Sequence, residues 1–481
     1  MTKKPVVIGL GITQQKGSYA ELDEALFLME KVAMQAINDC GNSKIKDFID
    51  VIDIPKGFWR YRDPGKWIAE KNNFSNAKTS VNKIGVLQQH LINNTCNKII
   101  KSEIRAGLIL GGESRAKMIA ALKEGIEYKE MELSTNPDQY VKAKDDLYGE
   151  GEAEALGLMA VGYYAVMESA MRKSKNLTLK EHEDYLGSMY ADFSEIASKN
   201  QYAASDKSIS KDQIMLANSD NKPMAYPYNK YHCTSWNVSQ ASAILICEEG
   251  LADQLNISKQ KRIYPMASSE TNHMIALIQR PSLISSAGLK LASEKINEVV
   301  DKHSINLNLI DLYSCFPVAI QQFENVLNLN TKTSRTITGA MPFAGGPLNN
   351  YMLHATVQAL LKLRSESGHS LITGVSGMMT KQSFCLWSSE YQMPFYHADV
   401  TKKAQQLDKP IPISNAKHGN GIVIGYTVLY EGTKPTLGVF YIEDSQGERK
   451  VVTSEDKAVI TSMREEEWIE KEISFHGNQV S

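Results

Sequence analysis

The stretch from Asp311 to His354 constrains the fold more than any other part of the chain. Leu307 to Leu312 is an apolar run that reads as a buried strand, it breaks at Ser314-Cys315, and Pro317 stands where a following helix takes its first turn. Ser314, Cys315 and Phe316 are thereby placed at the carboxyl end of a strand. Further on, Gly345-Gly346-Pro347 precedes a helical pattern of Tyr351, Leu353, His354, Val357, Leu360 and Leu361, whose first backbone N–H groups can face a ligand. Strand ends and helix starts converging in this way build a site.

The same grammar runs through the chain. A first buried strand near residues 5–12 leads to a helix at about 22–39, with Leu26, Met29, Val32, Ala33 and Ala36 on one face, and then to the strand Ile49 to Ile54. Lys56 to Asn73 has no period and reads as a long surface loop. Strands follow at 79–85 and 107–110, with a helix of about 88–105 between them that holds His90 and Cys96 in its body. Residues 115–220 are charged, Met- and Tyr-rich and helical in pattern, and Lys173, Lys175 and Lys180 there read as a solvated face. The aromatic segment Tyr226 to Trp236, with His232 and Cys233, runs into the apolar strand Ala241 to Ile246 and suits pocket lining. Strands at 262–267 and 370–374 and a helix at 281–303 complete a second half, and Cys385 among Phe384, Leu386 and Trp387 reads as core.

From about residue 403 the composition changes. PIPIS and KHGNG read as a linker, then three short strands joined by glycine-containing turns make a compact β module, followed by a helix at 456–468 and a frayed tail from Gly477. Its aromatics, Tyr426, Tyr430, Phe440 and Tyr441, have no basic stripe beside them, so core and partner-docking roles fit better than nucleic-acid stacking.

At 481 residues the chain is too long for a single core. A formal net charge of -2 gives no argument for nucleic acid or an acidic membrane surface as partner. The six cysteines lack CxxC pairs or metal-like histidine spacing, so no metal site is expected and a reducing, cytoplasmic setting is. No run reaches the roughly 18 apolar residues of a membrane span.

These segments also carry a resemblance. DLYSCF is similar to the HDCF segment of sterol-carrier-protein-type thiolases and GGPLNNY to the GHP segment of all thiolases; Gly111 to Ser114, Asn237 to Ile246 and Gly374 to Gly377 resemble further thiolase motifs, with Ser239 replacing an acidic residue. The resemblance implies a thiolase fold: two similar βαβα halves in five αβαβα layers, a helical insertion, and a small carboxyl-terminal barrel-like domain resembling an OB fold. The implied domains are 1–114 with 221–258, 115–220, 259–402 and 403–481. It further implies acyltransferase activity of the acetyl-CoA acetyltransferase type in lipid metabolism, with no tightly bound cofactor and a coenzyme A or carrier-bound acyl thioester as ligand. A homodimer or monomer is expected.

The catalytic letters depart from the family. Position by position, the thiolase cysteine, two histidines and second cysteine fall on Gly85, Tyr313, Gly346 and Gly374. Glycine supplies neither a thiolate nor a base, so degradative thiolase activity is expected to be absent. Two readings follow. One is an acyltransferase with a rearranged set drawn from Tyr313, Cys315 and His232, its pocket lined by Gly85, Val86, Gly346, Asn349, Asn350, Gly374 and Ser376. The other is a binding or scaffold protein that holds a thioester without turning it over and docks a protein partner through its β module. On either, the glycines are expected to widen the cavity.

Overall fold

The computed structural model describes residues 3–144, 147–327, 329 and 333–481. In the amino-terminal half, six strands lie in the order Pro5–Gln15, Ser239–Glu248, Ala106–Ser114, Ile49–Pro55, Lys78–Asn82 and Gln139–Val141. In the carboxyl-terminal half the order is Leu307–Asp311, His369–Ser376, Lys381–Ser388, Tyr264–Thr271 and Tyr396–Asp399.

The period-2 alternation of strands explains why these sheets stack. Along Ser239–Glu248, Ala241, Ala243, Leu245 and Cys247 pack outward against the helix Ala25–Cys40, while Ile244 and Ile246 pack inward. Along Lys381–Ser388, Phe384 and Leu386 face one core, and Cys385 and Trp387 face the other. The shared inner core contains the helices Gln88–Ile100 and Tyr351–Glu366, through Leu91, Ile92, Cys96, Leu353, Val357 and Leu360. Outer helices, two sheets and a central helical layer give the five-layer arrangement, and Cys96 and Cys385 are both buried in its middle.

The stretch 56–73 differs from the expected surface loop. Asp63 caps a helix, Pro64–Asn72, by accepting from the Lys66 N–H, and the Trp59 and Tyr61 rings stack at 5.3 Å and are buried. The first-turn proline marks this start, but the helix is too short to show a period.

The insertion is helical, as expected. Leu179–Ser198 begins at a capping box built by Thr178 and Glu181, and Ala160–Ser174 lies against the barrel. Lys173 pairs with Glu470 and Lys180 with Glu183, while Lys175 turns inward to donate to Gln321.

The carboxyl-terminal region is a closed barrel of His418–Glu431, Lys434–Glu443, Arg449–Ser454, Gln479–Val480 and Glu472–His476, with pairing between the first two strands completing the ring. Two expectations are corrected here. HGNG is part of the first strand, paired with Glu472–His476, and does not belong to a linker; the tail after Gly477 pairs with Thr453 and Phe475 and closes the barrel. Closure removes the sheet edges, and that ties down a terminus whose composition alone predicts fraying. Tyr426 and Phe440 fill the barrel interior; Tyr441 points to the body.

Candidate functional site

The site is organised by Asp311 at the end of its strand. Its Oδ2 accepts from the Ile337 and Thr338 N–H groups, at 2.9 and 3.0 Å, and from both threonine hydroxyls at 336 and 338; its Oδ1 accepts from the Tyr351 hydroxyl at 3.0 Å. Burial raises the Asp311 carboxyl despite these donors. One carboxylate thus fixes the strand end, the 336–338 loop and the first residue of the helix Tyr351–Glu366. Ser314 adds to the anchor by accepting from the Met341 N–H at 3.0 Å.

The helix after Gly345-Gly346-Pro347 starts later than expected, at Tyr351. A 3-10 turn at Leu348–Asn350 intervenes, with Asn349 at φ -85 and ψ 30, outside the helical region. Its start meets that of Gln88–Ile100, where the Leu353 N–H donates to Gln88 Oε1 at 3.1 Å. Asn350 Oδ1 accepts from the Ser242 hydroxyl at 2.9 Å. The Nδ2 groups of Asn349 and Asn350 are buried without a partner. Two amide donors therefore stand unsatisfied beside the joint between the halves.

The glycines do not widen a cavity, which corrects that expectation. A Cβ on Gly346 would lie 2.2 Å from Thr234 Cγ2, and one on Gly374 would lie 2.6 Å from Ser383 Oγ and 3.2 Å from the Met352 sulfur. Both glycines allow close packing. Gly85 has φ +108, with Ala143 at 3.0 Å from its absent Cβ. Its carbonyl accepts from the Lys381 ammonium at 2.7 Å, and that buried ammonium also donates to the Lys144 carbonyl at 2.9 Å. Val86 is buried beside it, and Ser376 pairs with Lys381 across the hairpin.

The three side chains offered for chemistry, Tyr313, Cys315 and His232, are all buried. Burial pushes the Cys315 thiol up to about 12, against a hydrogen bond with Tyr164. Burial pulls His232 down to about 4; its Nδ1 accepts from the Asn229 N–H at 3.1 Å and its Nε2 has no partner. Tyr313 is buried, packed edge-on against Tyr351 at 5.5 Å, and its hydroxyl is raised by burial. Around them lies an aromatic wall of Tyr164, Phe316, Tyr228 and Tyr190, with Tyr164 and Phe316 stacked at 4.4 Å.

Sequence reasoning missed a polar group at the joint. Glu270 is buried; His90 Nδ1 lies 2.9 Å from its Oε1, His397 Nε2 3.7 Å from the same atom, and the Asn93 amide donates to Oε2 at 3.2 Å. Burial acts to raise this carboxyl, but the two imidazoles outweigh it and hold it down to about 2. The Glu270 hydrogen bond raises His90. Glu270 is the sole charged residue of the strand Tyr264–Thr271, as Lys381 is of Lys381–Ser388, and that was the available signal. Among the described residues no cluster able to hold a metal ion occurs, and no helix is long and apolar enough to cross a membrane.

No protein-family model matches the chain. Over 168 residues it is 29% identical to a Methanocaldococcus jannaschii protein named acetyl-CoA acetyltransferase, a stretch that makes up 35% of this chain and 40% of that protein. Its structure is similar to that of a monomeric SCP2-thiolase-like protein type 1 from Mycobacterium smegmatis, with a TM-score of 0.82, 21% identity, and coverage of 99% of this chain and 98% of that one. It is also similar to human mitochondrial 3-ketoacyl-CoA thiolase in complex with CoA (TM-score 0.54, 15% identity, 81% of this chain and 98% of that one) and to the Ltp2-ChsH2(DUF35) aldolase (TM-score 0.56, 11% identity, 81% and 99%). The fold is the thiolase fold, and the likeness to the Mycobacterium smegmatis protein runs through the barrel.

Proposed function

We propose that this chain is a thiolase-like protein that binds an acyl thioester, of coenzyme A or a carrier, without thiolase turnover. The observation that carries the reading is the pair of unpartnered Asn349 and Asn350 amide donors at a joint that has lost every thiolase nucleophile and base. Two N–H donors suit a thioester carbonyl oxygen, and binding it needs no thiolate. The remaining thiol and imidazole support the same reading, since Cys315 is held protonated and His232 neutral over the ordinary pH range. The human thiolase structure that contains CoA supports the ligand class.

The barrel is the element we assign to a protein partner. The Ltp2-ChsH2(DUF35) aldolase joins a thiolase-fold chain to a second component, which supports a partnered role for this fold.

The test is to incubate purified protein with a panel of acyl-CoAs and acyl-pantetheines, following both thermal stability and free thiol. Stabilisation of about 2.7 kcal/mol at a hundredfold excess over the dissociation constant is expected, with no thiol release. Replacing Asn349 and Asn350 by leucine should remove the shift. Thiol release that depends on the protein would overturn the non-catalytic reading, and no shift with any thioester would overturn the ligand class.

A further inference from the structure

A groove of about 800 Å³ runs beside the later turns of the helix Tyr351–Glu366, against the chain that leaves the helix Leu179–Ser198. Gln358, Leu361, Lys362 and Ser365 fall at i, i+3, i+4 and i+7, so a single face of the helix forms one wall. Ile196, Tyr202 and Ile337 add to the apolar lining. Its charged residues are Lys199 and Lys362, and no carboxylate is among the described residues that line it.

A hydrogen-bond network leaves one donor over in this groove. Asn200 Nδ2 donates to the Thr338 carbonyl at 2.9 Å and to Gln358 Oε1 at 2.8 Å, while Asn200 Oδ1 accepts from the Tyr202 N–H at 3.0 Å. The Gln358 oxygen is thereby engaged by the protein. Its Nε2 is buried and has no partner among the described residues, on a side chain that lines the groove in a residue only 5% exposed. A buried N–H donor without an acceptor is unfavourable, and a ligand oxygen removes that penalty. The two lysines are solvent-exposed: Lys199 pairs with Glu195 at 2.6 Å, and Lys362 lies 3.8 Å from Glu366, beyond hydrogen-bond length.

We propose that this groove binds a carboxylate carried on an apolar chain, with Gln358 Nε2 donating to a carboxylate oxygen and Lys199 and Lys362 supplying the counter-charge. An unpaired donor beside two ammonium groups selects an anion, and a lining without acidic side chains gives a cation no partner. The walls select the rest of the molecule. Ile196, Ile337, Leu361 and the Tyr202 ring offer apolar surface that acetate or inorganic phosphate would leave uncovered. A single carboxylate charge also costs less to desolvate against those walls than a phosphate dianion. The inference stands apart from the thioester reading, because it uses neither Asn349 nor Asn350.

Sodium octanoate is the probe, with sodium acetate and octylammonium chloride as controls and inorganic phosphate as competitor, and saturation-transfer NMR on the ligand protons is the readout. Saturable transfer to octanoate is expected. It should survive equimolar phosphate and persist in the folded Asn349→Leu/Asn350→Leu variant, which separates this groove from the thioester site. Gln358→Leu removes the donor at similar volume and should weaken binding roughly tenfold to hundredfold. Lys362→Glu, at an exposed position, should weaken it about fivefold with the circular dichroism spectrum unchanged. Absence of saturation with octanoate, unchanged affinity in either the Gln358 or the Lys362 variant, acetate or octylammonium binding as tightly as octanoate, displacement by phosphate, or loss of binding in the asparagine variant would overturn the proposal.

Discussion

The Lys381 ammonium donates to the Gly85 carbonyl at 2.7 Å, so a buried cation from the carboxyl-terminal sheet holds the loop where the resemblance places a thiolase nucleophile. The same ammonium caps the Lys144 carbonyl. Lys381→Met keeps the stem and removes the donor, leaving two carbonyls short of it. A loss of about 1–3 kcal/mol in urea unfolding is expected, and a change within error would show that water replaces the ammonium at no cost.

Acid should attack the molecule at Glu270. Its folded pKa, about 2, lies below the ordinary 4.5, so the stability it contributes is present above pH 4.5 and is lost as pH falls towards 2. The shift corresponds to about 3 kcal/mol. His90 works in the opposite direction: its pKa is raised, so its contribution is present below pH 6.5 and fades as pH climbs through the raised value. Glu270→Gln should flatten the acid limb of a stability–pH curve. An unchanged limb would place the acid-sensitive group elsewhere.

Much of the fold was legible because it rests on apolar runs and helical period. The strands at Leu307 and at Ala241 to Ile246 announce themselves as apolar runs, and the helix Leu179–Ser198 by its helical pattern. The Pro64–Asn72 helix did not, since nine residues show too little repeat. Barrel closure was hidden because Gln479–Val480 is two residues long and is defined by partners distant in sequence. The site was the least legible part. Gly346 and Gly374 read as missing side chains, whereas Thr234, Ser383 and Met352 fill the space, and that packing is set by residues far away in the chain.

Thiolytic cleavage of acetoacetyl-CoA should be absent, and Cys315 should be inert. With its thiol pushed up to about 12, only about one part in ten thousand is thiolate at pH 8. Native alkylation followed by mass spectrometry should leave Cys315 unmodified while the unfolded protein is labelled fully. Rapid labelling of Cys315 in the native protein would contradict its burial.

The barrel should stay attached even when its connection is cut. Of the linker expected over Ile411 to Gly421, Ile411 donates to the Gln279 carbonyl, Ser414 to the Arg449 carbonyl, and His418 onward is strand. Only Asn415 to Lys417 remains as an exposed bridge. Protease should nick there first. The fragments should nevertheless co-elute, because the docking surface is buried and hydrogen-bonded: Tyr441 donates to Glu152 at 2.5 Å, Arg172 joins Tyr426 and Glu467, and Arg449 reaches the Ile278 and Arg280 carbonyls. Val439, Tyr441 and Val451 share one core with the insertion. Tyr441→Phe leaves Glu152 Oε1 with the Ile278 N–H alone, and its loss of about 1–3 kcal/mol should appear in a single unfolding transition of the whole chain. A separate early transition, or release of a free barrel after nicking, would show that the two parts fold independently.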